Sequence, residues 1–564
     1  MALPFLLLLA VLSGGSAARA AKPPQVIAQM DHSPIVVRLP GRTLAAWVIQ
    51  PAGGRDGLFE MRSADNGRTW SAPRSLHEFP DKTGTWGGLQ PLAGRNGEIH
   101  LFLLRFSKYT LGNRGEGERP AFDDYRGNRI DIWHMKSNRE RTAWTPPREI
   151  WAGYTGALNS AAQMRNGRIL LPFSYHVKRS WRDRGADFAA FTFLGYFHST
   201  LLYSDDEGET FHLSPTPLAV ETPDIVSSYG AVEPVIIELR DGQVWNLIRT
   251  QRGRFYESFS ADGARWSEPQ PSAILNSDSP AGLARTDDGK LVLVWNHCLR
   301  YPYAQGGRQV LHAAISEDEG KTWIGYREVL KDPKRHEPPP PGGDFGTAYP
   351  FPTTVYDGEI LIRAGQGKGR HALVALDPRW LYETSHRADF SRDLEDWTYF
   401  GTKGVERVPH PDQPGRHVLQ VAKTHAAWPA GAVWNFPNGV SGTLTVRFQL
   451  RQGFRGVNLA LASHYSVPWD KEDHFHAAWN LPIDGGGRLL GTTPVSSGSW
   501  HTLRVTWSMT LRSAHVWLDG RHAGKLPLRT DSVGVNSFRI RSTAAEPDPA
   551  GILVESVEAS VANR

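Results

Sequence analysis

Residues 316–323 read SEDEGKTW, and the octet returns as SADNGRTW at 63–70 and as SDDEGETF at 204–211. Its chemistry is that of a turn. Short Ser and Asp side chains satisfy nearby backbone N–H groups, Gly accepts a positive φ, and the closing aromatic packs back onto a sheet. A shortened SADGARW (260–266) and a worn SNRERTAW (137–144) extend the series, whose starts at 63, 137, 204, 260 and 316 lie 56 to 74 residues apart. A second repeat runs in register with the first. PGRTLAAWVI, RNGEIHLFLL, RNGRILLPFS, RDGQVWNLIR, DDGKLVLVWN and YDGEILIRAG each pair a turn with an apolar run, their glycines falling at 41, 97, 167, 242, 289 and 358. Each follows another short strand, and five of those strands open on a proline: Pro34, Pro91, Pro234, Pro280 and Pro350. Runs of this kind between Gly, Asp and Asn turns are hairpins. Six hairpin units without helical periodicity between them predict a six-bladed β-propeller over about residues 25–385.

The residues just before those prolines are polar where core strands would be apolar: His32-Ser33, Gln90, Glu233, Asp278-Ser279 and Tyr349, with Asn159-Ser160 in the third repeat. A ring of polar side chains at the start of every innermost strand predicts a site where the blades converge. Glu233 and Arg249 stand sixteen residues apart across one hairpin, so both reach the same end of the fourth blade.

The rest of the chain sets limits. At 564 residues it is long enough for two or three domains. Residues 1–20, MALPFLLLLAVLSGGSAARA, join an apolar run to the small-residue site Ala18-Arg19-Ala20, predicting a signal peptide cleaved before Ala21 and an exported protein. No later run is apolar for long enough to span a membrane. Basic and acidic residues, 63 and 58, are interspersed and leave a net charge of +5, which argues against a nucleic-acid partner. Cys298 is the sole cysteine, so no intrachain disulfide or multi-cysteine cage can form. The absence of HExxH, Walker A, GxGxxG and GxSxG patterns removes zinc proteases, nucleotide binders and serine hydrolases, and neither metal nor cofactor is expected. Beyond residue 385 the octets stop, and GTLTVRFQLR, VNLALASHY, HTLRVTWSM and AHVWLDGRHAG alternate with period two. They predict a second all-β unit over 388–564, a sandwich resembling the concanavalin A-like jelly-rolls. Its expected core is Trp500, Leu503, Val505, Trp507, Val516 and Leu518 or their near neighbours, and Trp469 either stacks on a sugar or packs between the domains.

The octet is the "Asp box", and together with six blades it resembles the sialidase superfamily. The resemblance covers about residues 25–385. YGAVEPVIIELRDGQVWNLIRT (229–250) is similar to the segment in which a Glu opens the inner strand and an Arg closes the next, here Glu233 and Arg249. GTAYPFPTTVYDGEILI (346–362) is similar to the segment carrying the nucleophilic Tyr, here Tyr349, and GGRQVLHAAISEDEGKTW (306–323) puts Arg308 at the place of a substrate-binding Arg. The resemblance implies an exo-glycosidase acting on a terminal, anionic sugar of an oligosaccharide, polysaccharide or glycoconjugate. A phenol with a pKa near 10 needs a neighbouring carboxylate to take its proton, which is the part Glu233 would play. Guanidinium groups would clamp a substrate carboxylate. The first blade departs from the family: MDHSPIVVRLP carries His32 where the first Arg of a triad belongs, and the shortened QPAGGRDGLFEMRS offers Asp56 as the acid. Gln90 and Asp278 complete the predicted substrate contacts. His176 and His297, at strand ends, are either structural, substrate contacts, or the base of a uronate-polysaccharide lyase with Tyr349 as acid. A glycan-binding propeller without turnover is the non-enzymatic alternative.

Overall fold

The computed structural model describes residues 21–29, 34–52, 54–79, 84–108, 128–177, 196–220, 230–299, 307–337, 345–400, 404–470 and 472–563. The predicted signal peptide lies outside them. No helix among the described residues is long and apolar enough to cross a membrane.

The chain is all-β: a six-bladed propeller followed by a β-sandwich. Each blade is a four-stranded antiparallel sheet. The first is Ile35–Leu39, Thr43–Ala52, Arg55–Ser63 and Arg74–Glu78. The last takes Phe351–Thr354, Ile360–Ala364 and Ala372–Leu376 in turn, and its outermost strand is Gln25–Gln29 from the start of the ring. That strand closes the circle and leaves the last blade no missing edge. The six glycines of the second repeat join first to second strands with φ between +74° and +98°, a region side chains with a Cβ disfavour.

Direction follows from this connectivity. The first strand of a blade runs from an upper face to a lower one, the second returns, and the third descends again. Residues that begin first strands or end second strands therefore share the upper face, whereas octets, which follow third strands, lie on the lower. Within each octet the Ser and Asp side chains bond locally. In the fifth blade Ser316 Oγ donates to Asp318 (2.8 Å), Gly320 N donates to Ser316 Oγ (2.8 Å), and Asp318 accepts from Thr322 N (2.8 Å) and Thr322 Oγ1 (2.6 Å). The residue before each octet glycine (Asn66, Glu207, Glu319) also adopts a positive φ.

Apolar side chains fill the wedges between blades. Trp47, Phe79, Trp86, Leu101 and Leu103 form one such cluster, with Phe79 stacked on Trp86 at 4.2 Å. At the axis, inner strands meet so closely that a Cβ on Gly282 would stand 2.5 Å from the Pro350 carbonyl oxygen.

The sandwich packs an eight-stranded sheet on a seven-stranded one. Its core contains Leu503, Val505, Trp507, Val516 and Leu518 as expected. Trp500 is a correction. Strand Trp500–Ser508 buries its odd residues, so parity turns Trp500 outward, where it stacks on His410 at 4.8 Å and its indole N–H donates to Asp412 (2.7 Å). Trp469 packs at the joint between domains beside Cys298, Val310, Val433, Tyr465 and Val467.

Candidate active site

On the upper face, three blades deliver one hydrogen-bonded group. Tyr349, at the start of the sixth blade, donates its phenolic O–H to Glu233 Oε1 at 2.8 Å. Glu233, at the start of the fourth, accepts from Arg249 Nη1 through its other oxygen. Strand pairing sets Val232 opposite Arg249, with a bulge at Glu233-Pro234, and this brings carboxylate and guanidinium together. Arg249 Nη1 also reaches the Tyr349 oxygen (3.3 Å), and its Nε donates to Asp278 Oδ1 (2.9 Å) at the start of the fifth blade. Arg308 joins through Nη2 to the Asp278 carbonyl (2.8 Å) and through Nη1 to Gln366 Oε1 (2.8 Å). Glu233, Arg249 and Arg308 are buried, and Tyr349 and Asp278 partly so.

The backbone marks the same places. Glu233, Asp278 and Tyr349 have φ of +47°, +61° and +61°. Two of them precede prolines, which normally hold the preceding residue in extended conformations. Such conformations cost about 1–3 kcal/mol each and persist where the surroundings over-determine them. Gly156 helps to do so: a Cβ there would lie 2.8 Å from Ser174 Oγ and 3.4 Å from Glu233 Cγ. Ser174 Oγ accepts the Glu233 amide at 3.3 Å.

The other predicted residues divide. His176 is two places beyond Ser174 on one strand, hence on the same face, and packs edge-on to Phe197 (5.6 Å) and Tyr154 (6.2 Å). Gln90 is buried and turns its amide to the Pro91 carbonyl (3.1 Å). Asp56 sits at the upper end of the first blade and accepts the backbone N–H of Trp86 (2.8 Å), tying the first blade to the second. His32 lies outside the described residues. His297 is a correction: its Nε2 bonds the Ser463 carbonyl (2.6 Å) of the sandwich, and its own carbonyl accepts Tyr465 N–H (2.8 Å). The ring is buried under the sandwich, which makes it an interface residue and neither a substrate contact nor a base, and the same burial holds its pKa down to about 3.

Three residues of this neighbourhood were not expected. Gln251 Nε2 donates to Asp278 Oδ2 (3.0 Å), Gln366 holds Arg308, and Arg363 donates to the Tyr349 carbonyl (3.3 Å) over the Phe351 ring (5.2 Å). Desolvation lowers the Arg363 pKa to about 10. A signal for Arg363 was available: LIRT (247–250) and LIRA (361–364) close the second strands of two blades, placing Arg249 and Arg363 at equivalent positions. Among the described residues no group of three or more His, Cys, Asp or Glu is arranged to hold a metal.

Fold and octets together define a propeller of the Asp-box class, and residues 90–362 match the BNR repeat-like domain. Similar solved structures include a Trypanosoma rangeli sialidase in complex with sialic acid (13% identity, 94% of this chain and 91% of that one, TM-score 0.41). A Dyadobacter fermentans protein of unknown function (16%, 63% and 97%, 0.46) and the Hadza microbial sialidase Hz136 (17%, 63% and 69%, 0.45) are others. No curated protein sequence matches this chain.

Proposed function

We propose that the protein is a glycoside hydrolase that releases a terminal sugar through a covalent intermediate on Tyr349. The observation that carries this reading is the 2.8 Å bond from the Tyr349 phenol to Glu233, with Arg249 bonded to both. As the phenolic oxygen bonds to the anomeric carbon, its proton passes to Glu233 and the bond to the leaving oxygen breaks. The guanidinium of Arg249 offsets the charge that moves between the two oxygens. Asp56, at this end of the first blade, is the candidate for protonating the leaving oxygen. Water then attacks the anomeric carbon, gives a proton to Asp56, and returns the phenol by taking back the proton on Glu233. Two inversions at one carbon give net retention. With residues 1–20 read as an export signal, the substrate is a glycan met outside the cytoplasm.

The test is turnover of a panel of aryl glycosides by wild type and Tyr349→Phe. A loss of about 10³-fold in kcat is expected, with retained anomeric configuration in the wild-type product. Undiminished turnover by the variant would sink the assignment. A conjugated, ultraviolet-absorbing sugar product would favour the lyase reading instead, and glycan binding without any turnover would favour a lectin.

A further inference from the structure

We propose that Asp278 makes this a site for an uncharged sugar, by holding the two arginines that a carboxylate-bearing substrate would need. The inference rests on the glycosidase reading and concerns which sugar that site takes. A guanidinium clamps a carboxylate with two neighbouring nitrogens along one edge. In Arg249, Nε is bonded to Asp278 (2.9 Å), and Nη1 to Glu233 and to the Tyr349 oxygen. Both edges that could offer paired N–H groups contain Nε or Nη1, so each already has a nitrogen bonded within the protein. In Arg308 the two terminal nitrogens go to the Asp278 carbonyl and to Gln366, both at 2.8 Å. Asp278 thus stands on both arginines, on one by side chain and on the other by backbone.

Charge bears on the same guanidinium. Glu233 takes Nη1 of Arg249 and Asp278 takes its Nε, so an incoming carboxylate would meet two fixed negative charges beside it, whereas a hydroxyl loses nothing by this. Asp278 is also held for the task. Gln251 fixes its second oxygen (3.0 Å), the backbone keeps φ at +61°, and the side chain remains 14% exposed. A partly open carboxylate accepts hydrogen bonds and donates none, so it fits a sugar hydroxyl at the place where an acidic sugar would carry its own carboxylate. The substrate class is therefore a neutral glycosyl residue with a free hydroxyl facing Asp278.

The experiment compares kcat/KM of the full chain on neutral aryl glycosides (rhamnoside, arabinoside, fucoside, galactoside) with that on the sialoside, glucuronide and galacturonide. The best neutral substrate should exceed the best acidic one by at least about 100-fold, and Asp278→Asn should cut that ratio at least about tenfold. A wild type that prefers an acidic glycoside, or an Asp278→Asn protein that is folded and keeps the ratio, overturns the inference and leaves the hydrolase reading intact. Binding of the neutral and acidic monosaccharides to Tyr349→Phe, measured by calorimetry, decides the matter independently of turnover. Preference for the neutral sugars upholds the inference even if no glycoside is cleaved, which would count against the hydrolase reading alone. Preference for the acidic sugars, or binding of neither class, overturns it.

Discussion

On the lower face of the propeller, Asp65, Asp206 and Asp318 each bond within their own octet, two residues back and four residues on. On the upper face, Glu233 bonds to Tyr349 one hundred and sixteen residues away, and Asp278 reaches back twenty-nine residues to Arg249. The same side-chain types serve opposite ends. Below, the octet aspartates are satisfied locally and in the same way in three blades, so they stabilise a turn and have nothing left to offer a substrate. Above, three blades contribute different side chains, and these bond across blades as well as within them. Repetition marks architecture, and departure from repetition marks the candidate chemistry.

This contrast predicts two kinds of mutational damage. The largest effect belongs to Glu233→Gln, which should lower kcat by about 10³-fold by removing the acceptor of the Tyr349 proton. It should also lower stability by about 2–3 kcal/mol, because Arg249 is buried and loses the charge of one of its two carboxylate partners. Steady-state kinetics on the best glycoside, together with a thermal melt, would register both. Full activity would remove Glu233 from the chemistry, and an unchanged melting temperature would mean that the ion pair adds little.

Next in size is Gly156→Ala, a change at a residue with no functional group. Its new methyl must displace Ser174 Oγ or push on Glu233, and small misplacements of a reacting group are costly. A loss of about 10- to 100-fold in kcat/KM is expected with a much smaller change in melting temperature. Equal losses in both would make Gly156 a packing residue and nothing more. The counterpart on the lower face is Asp318→Ala. It removes the acceptor of the Thr322 amide and hydroxyl and should cost about 1–2 kcal/mol of stability. kcat/KM should not move. Any clear loss of activity at constant foldedness would break the division between the faces.

Much of this division was legible in the sequence because a repeat declares its own geometry. Octets and Gly turns in register fix strand order and direction, and these fix which residues share a face. Glu233, Arg249 and Tyr349 could be placed on that basis, and Arg308 by the resemblance of its segment to the family's. What stayed illegible depends on contacts between distant segments. His297 lies two residues beyond a second strand, near where Arg249 ends one, and nothing in LVWNH reveals that Ser463 and Tyr465 of the sandwich cover it. The contacts of Arg249 and Arg308 with Asp278 were not legible either, since these pairings leave no local pattern. Trp500 failed for a simpler reason: counted inward from Leu503, strand parity already turns it out.

The smallest effect tests whether the aspartates of the octets act only within their own turns. Hydrogen bonds from the Thr69 hydroxyl and amide hold the Asp65 carboxyl down to about 2. For Asp206, burial pulls the other way and the bonds from Thr210 and Ser204 win, again giving about 2. A carboxylate whose folded pKa lies below its unfolded value near 3.8 stabilises the fold above that value. The contribution fades as pH falls from about 4 and is gone once the folded pKa near 2 is passed. Thr69→Val keeps the shape and removes one of the bonds responsible, on an exposed loop, so about 0.5 kcal/mol is the expected cost at pH 6. Urea midpoints of wild type and Thr69→Val should differ measurably at pH 6 and converge toward pH 2. A gap that persists unchanged in acid would mean that Thr69 acts by packing and that the charge on Asp65 plays no part in the turn. A gap that also appears in kcat/KM would mean that the lower face communicates with the upper, and the separation drawn between them would fail at its weakest point.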